Sequence, residues 1–161
     1  MDGMELLKND HKRILEIINE LINEFTGKVK HTNEESVRQR PRMFGKLRET
    51  LIQHLEVEER TLFPNLEGFV DTRILVDECY RERKRIDEIL KRIEKLPEET
   101  QLDCRDDLLA ELELRVQTYL VREEDWLFPK AKLLLGDAKL EEIFSRTILS
   151  PLDPIQPKRS T

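Results

Sequence analysis

Residues 54–66, HLEVEERTLFPNL, and residues 119–131, YLVREEDWLFPKA, are two versions of one segment. They agree at Leu55/Leu120, Glu58/Glu123, Glu59/Glu124, Leu62/Leu127, Phe63/Phe128 and Pro64/Pro129. An earlier pair repeats in the same way: residues 9–18, NDHKRILEII, match residues 81–90, RERKRIDEIL, through Lys-Arg-Ile and a later Glu-Ile. All four segments carry apolar residues every three or four positions, the period of a helix with one buried face. The chain therefore contains one helix pair twice. A single amphipathic pair leaves its apolar face in water, so the copies are expected to close on each other. The result is an all-α, antiparallel, up-down four-helix bundle with an approximate two-fold axis through its core.

The first helix is predicted over residues 4–25, with Leu7, His11, Ile14, Ile18, Leu21 and Phe25 on one face and Gly27 as a stop. Residues 31–40 are polar and form a loop or a short helix; Thr32 and Glu35 have capping-box spacing. Pro41 fits best near the start of the second helix, over 42–66, because inside a helix it loses a hydrogen bond. That helix buries Phe44, Leu47, Leu51, His54, Glu58 and Leu62. Asp71 or Thr72 caps the third, over 73–96, which Pro97 ends. Its inward line reads Leu75, Cys79, Glu82 or Arg83, Ile86, Ile89 or Leu90, and Ile93. The fourth, over 104–135, opens at Asp103, stops at Gly136 and buries Leu108, Leu112, Val116, Tyr119, Glu123 and Leu127. A short extra helix over 137–148 is expected on the outside of the bundle. Residues 1–149 then form one domain, and residues 150–161, with three prolines, an extended or disordered tail.

Composition excludes several functions. The 161 residues suffice for one sizeable core and not for two comfortable ones. Net charge is −6 with acids and bases interleaved, which argues against nucleic acid or an anionic membrane as partner. No apolar run nears the roughly 18 residues that span a bilayer, and the first residues, MDGMELLKND, lack a signal pattern. Two cysteines, Cys79 and Cys104, do not make a disulfide framework. A reducing, cytoplasmic setting is the expectation. No nucleophilic triad, phosphate loop or cysteine-rich zinc pattern is present, so no catalytic constellation is identified.

The inward stripes carry polar residues that need a partner. The three histidines are His11, His31 and His54; two fall on core lines, and His31 reads as a surface residue of the linker. His54 and Glu58 stand four apart on one face. As an isolated pair they are more often a surface ion pair; within an apolar stripe, with His11 also inward, metal ligation gains weight. Glu58 and Glu123 recur in both halves, and burying two carboxylates demands a counter-charge. A metal ion supplies one. So does Arg83, which lines up with His11 and whose planar fork pairs carboxylates bidentately. Tyr119, in register with His54, is core packing with a bonded hydroxyl, a hydrogen-bond partner to a carboxylate, or a phenolate ligand. Glu82 reads as a solvated or salt-bridged acid, Cys79 as a small buried hydrophobe. Leu-Phe-Pro at 62–64 and 127–129 reads as an aromatic plug followed by a helix end or kink.

Asn9-Asp10-His11, His54-xxx-Glu58-Glu59 and the two Leu-Phe-Pro endings resemble the hemerythrin-like (HHE cation-binding) domains across roughly residues 4–135. The resemblance implies a bundle that holds two non-haem irons, with histidines on each iron and two bridging carboxylates. Carried over by position, it implies that His11 and His54 serve one iron and that Glu58 and Glu123 bridge. The other iron would need histidines near Cys79, at Arg83 and at Tyr119, where this chain has none.

Three functions follow. The first is a bundle with one metal site, iron by resemblance and zinc or manganese by donor type, handling or sensing iron, oxygen, nitric oxide or peroxide. The second is a metal-free interaction or scaffold module, with Arg83 neutralising Glu58 and Glu123. The third is a diiron oxidase-like enzyme that recruits Glu82 and Tyr119 as unusual ligands.

Overall fold

In the computed structural model, residues 3–25, 34–96 and 102–149 are described. The expectations for Gly27, His31, the Thr32/Glu35 cap and the tail at 150–161 fall outside these residues, as do the side chains of Phe25 and Cys104. The elements are α1 (Gly3–Phe25), α2 (Glu34–Arg60), α3 (Leu62–Leu66), α4 (Val70–Lys95), α5 (Leu102–Arg122), a π-helical turn (Glu123–Leu127) and α6 (Phe128–Leu149).

Ion pairs fix the helix directions. On α4 and α5, Glu78 pairs with Arg122 and Glu82 with Arg115, in opposite chain order. On α2 and α4, Arg48 pairs with Glu94 and Glu59 with Arg83, again in opposite order. α1 packs on both α2 and α5. The bundle runs up-down-up-down, and its core is the predicted set of stripes: Leu7, Ile14 and Leu21 face Leu47, Leu51, Ile86, Leu112 and Val116, all buried.

The boundaries differ from expectation in instructive places. The second helix begins at Glu34, so Pro41 lies inside it. Proline forfeits one backbone bond there, but Glu, Arg and Gln around it are strong helix formers, and a 27-residue helix absorbs the loss. This helix also breaks at Thr61, whose hydroxyl donates back to the Val57 carbonyl at 2.6 Å. The α4 N-cap is Phe69, not Asp71 or Thr72. Thr72 is buried and spends its hydroxyl on the Leu66 carbonyl at 2.6 Å, tying α3 to α4. On α4, Val76 is fully buried, and Leu75, expected to point inward, is partly buried against the core. α4 ends at Lys95, with Leu96 extended as a residue before proline must be.

α6 is kinked at Gly136, whose φ of 78° is the left-handed region that suits glycine. The helical stretch beyond it is the expected extra C-terminal helix, and it packs against α1. Leu140 and Phe144 are buried, and Phe144 packs so close to Gly3 that a Cβ there would meet its ring at 2.1 Å.

Candidate metal centre

The inward polar positions of three elements meet at one point. His11 of α1, His54 and Glu58 of α2, and Glu123 of the π-helical turn each bring one ligand atom within 4.8 Å of all the others. All four are buried, Glu58 and Glu123 completely. Helical spacing of four puts His54 and Glu58 side by side, with Nε2 and Oε1 2.7 Å apart. His11 Nε2 lies 3.0 Å from His54 Nε2 and 3.3 Å from Glu123 Oε1. The Phe128 ring of the second Leu-Phe-Pro stacks on His11, with centroids 5.6 Å apart, and the chain continues beyond it as α6.

Several of these atoms lack aligned hydrogen bonds. Glu58 Oε1 and both oxygens of Glu123 have none. Unpaired buried carboxylate oxygens are strongly unfavourable in a protein interior. The two imidazole Nε2 atoms face each other at 3.0 Å. Imidazole and carboxylate donors converging in this way fit a divalent cation, iron, zinc or manganese among them.

The electrostatics point the same way. Burial works against a charged His11, but the adjacent Glu123 and Glu58 carboxylates more than reverse it and raise the imidazole to about 9. His54 is likewise pulled down by burial and carried well above its usual range by Glu58 and Asp10. Burial and repulsion from Glu58 push Glu123 up to about 8. Glu58 is driven low: burial opposes this, but the His54 and His11 imidazoles outweigh it. In the absence of a cation the cluster stores protons.

The other half of the bundle is built differently. The Tyr119 hydroxyl donates to Glu58 Oε2 at 2.7 Å, and Tyr119 is 1% exposed. Burial and the two glutamates push this phenol well above its ordinary range, so it stays protonated as the donor. Tyr119→Phe is expected to lower stability by roughly 1.5–3 kcal/mol, the worth of a hydrogen bond to a charged group, with an unchanged denaturant m value. Cys79 is fully buried, and burial raises its thiol far above the usual value, so it packs as a hydrophobe.

Arg83 is the main correction. It does not enter the centre to pair with Glu58 or Glu123; it bonds Glu59 and lies 3.7 Å from Asp87. Both partners are partly exposed, although Nη1 of Arg83 itself is buried. The repeat explains the choice. Arg83 stands where His11 stands, Glu59 where Glu124 stands, and His11 Nδ1 approaches Glu124 Oε1 at 3.4 Å. Both halves make the same contact, and in the second half a guanidinium receives it. Glu82 is buried rather than solvated, but it is salt-bridged as expected, to Arg115 at 3.0 Å and Arg85 at 3.3 Å.

Three features escaped the sequence reading. One is the π-helical turn, which replaces at Glu123–Leu127 the break that the first half makes at Thr61. Such turns recur at functional sites, but nothing in EEDWL announces one. The others are Asp10 and Glu124, which flank the outer nitrogens of the two histidines. Their adjacency to His11 and Glu123 was the only available signal.

Among known proteins, a family model described as the Hemerythrin HHE cation binding domain matches residues 2–131. No curated protein matches the chain.

Proposed function

The chain belongs to the hemerythrin HHE cation-binding family, and on that premise we propose that its bundle holds a single metal ion, iron by preference, through His11, His54, Glu58 and Glu123. The observation that carries this reading is the convergence of four buried ligand atoms within 4.8 Å, with Glu58 and Glu123 oxygens lacking aligned hydrogen bonds. A count of one rests on the second half. There Tyr119 occupies the outer oxygen of Glu58, Arg83 is bound to Glu59, and no histidine stands in either position. Iron held this way would supply a Lewis-acidic, redox-active centre with open positions for a small ligand. The chain's own contribution is to hold the four donors in a water-poor core, with Phe128 stacked beside His11 and Tyr119 keeping Glu58 turned inward.

The role that suits such a centre is sensing or handling iron, oxygen, nitric oxide or peroxide in a reducing cytoplasm. The metal-free scaffold reading cannot use Arg83 as its counter-ion, because that guanidinium is paired with Glu59. The diiron reading loses Glu82, which is bound to Arg85 and Arg115. Among the described residues no helix is long and apolar enough to cross a membrane. Elemental analysis of protein purified without added metal is the test. About one equivalent of iron per chain is expected, and zero or two equivalents would contradict the single-site proposal.

A further inference from the structure

Each histidine of the centre is approached on its outer side by a carboxylate, and the two approaches are crossed. Asp10 precedes His11 in the chain, yet its Oδ2 lies 3.3 Å from Nδ1 of His54 on α2 and is hydrogen-bonded to it. Glu124 follows Glu123, yet its Oε1 lies 3.4 Å from Nδ1 of His11 on α1, an ion-pair approach without an aligned hydrogen bond. The histidine side chains are 1–2% exposed, while those of Asp10 and Glu124 are 51% and 39% exposed. Asp10 sits with His54, Arg13 and Lys46 on the wall of a groove of about 330 Å³ between α1 and α2. The two acids therefore form the outer edge of the centre, between its buried donors and solvent.

A neutral imidazole has one N–H and one lone pair, and the partner of one nitrogen decides which is which. A carboxylate beside Nδ1 keeps the proton there, so that Nε2 offers its lone pair to a cation. Both Nε2 atoms of this chain point into the centre, 3.0 Å apart. Resting on the metal-binding reading above, we propose that Asp10 and Glu124 are positioning residues for the metal: Asp10 orients His54 by accepting its Nδ1 proton, and Glu124 holds the proton of His11 on Nδ1 through the negative charge it places beside that nitrogen. The repeat supports the assignment independently. The counterpart of Glu124 is Glu59, and it holds Arg83, the counterpart of His11. The carboxylate contact belongs to the repeated fold, and only in the first half does it reach a histidine.

The test uses the full chain and cobalt(II) as a spectroscopic probe, titrated with a competing chelator. Asp10→Asn and Glu124→Gln are each expected to weaken cobalt binding about 10- to 100-fold, the usual effect of removing a carboxylate behind a ligating histidine. Metal-free unfolding should shift little, because partly exposed pairs add little to stability. Glu59→Gln, which removes the equivalent contact to Arg83, should bind cobalt as the parent does. Parent-like affinity in both Asp10→Asn and Glu124→Gln overturns the proposal and leaves the metal centre intact. Equal weakening by Glu59→Gln overturns it as well, since the effect would then be one of general charge. A parent chain that takes up no cobalt overturns both this inference and the metal reading beneath it.

Discussion

Adding iron(II) or cobalt(II) to the metal-free protein is expected to raise its melting temperature by about 5–10 °C, and His54→Ala is expected to abolish that increment. The size follows from mass action: metal at a hundred times its dissociation constant adds about 2.7 kcal/mol, and a domain of this length gains roughly 2–4 °C per kcal/mol. The loss in the variant follows from the geometry. His54 Nε2 is 3.0 Å from His11 Nε2 and 2.7 Å from Glu58 Oε1, so it contacts two of the other three donors. Without it, two carboxylates and one imidazole remain around a hole that water can fill. His54→Ala also strips buried Glu58 of its nearest positive partner, which by itself typically costs about 3–5 kcal/mol. The informative quantity is thus the metal-dependent increment within each protein, measured by thermal unfolding with and without metal. Glu123→Gln gives a second reading in a variant that keeps the shape of the side chain, and its increment should shrink too. An undiminished increment in both variants would remove His54 and Glu123 from the ligand set.

As pH rises, the metal-free protein is expected to lose stability while the increment added by metal grows. Consider first the protein without metal. His11 is raised to about 9 from an ordinary 6.5, and Glu123 to about 8 from 4.5. A raised value means that the folded state binds the proton more tightly than the unfolded state. The associated stability is fully present below the unfolded value and is lost as pH climbs through the folded one. For Glu123 that loss spans about pH 4.5 to 8, and for His11 about pH 6.5 to 9. Each group contributes up to about 1.4 kcal/mol per pH unit within its window. Glu58, held low by the two histidines, acts at the other end, and its contribution is lost in acid. Metal-free protein should therefore be most stable in mildly acidic solution and weaken toward pH 9. A cation displaces these protons, so its affinity grows as pH rises and each released proton adds up to tenfold per unit. The metal-induced rise in melting temperature should widen steadily between pH 6 and pH 9. A gap that stays constant across that range would mean that binding releases no proton, contrary to the protonated cluster described above.

Much of the fold was legible because helical periodicity and an internal repeat are one-dimensional signals. The spacing of Leu47, Leu51, His54 and Glu58 specifies one face whatever packs against it, and the four buried stripes follow. The repeat added the pairing of halves, and with it the expectation that His11, His54, Glu58 and Glu123 share a level of the bundle; the four side chains do meet there. Helix ends were less legible. Pro41 lies within α2, and Thr61 and Glu123, near matching positions of the repeat, mark a helix break and a π-helical turn. Local propensities there differ by little, and contacts from other helices decide.

Partner choice was legible only in part. Arg83 was expected to neutralise the inner carboxylates, but it pairs with Glu59, which is partly exposed where Glu58 and Glu123 are fully buried. Asp10 passes over its neighbour His11 to reach His54, and Glu124 turns back to His11. What the sequence determined by itself is which side chains point inward, because that depends only on the angle between successive residues of a helix. Which inward or flanking group each one touches was decided by the tertiary structure. An ångström of separation between helices, and the hydration each charge keeps, outweigh anything that spacing along the chain encodes.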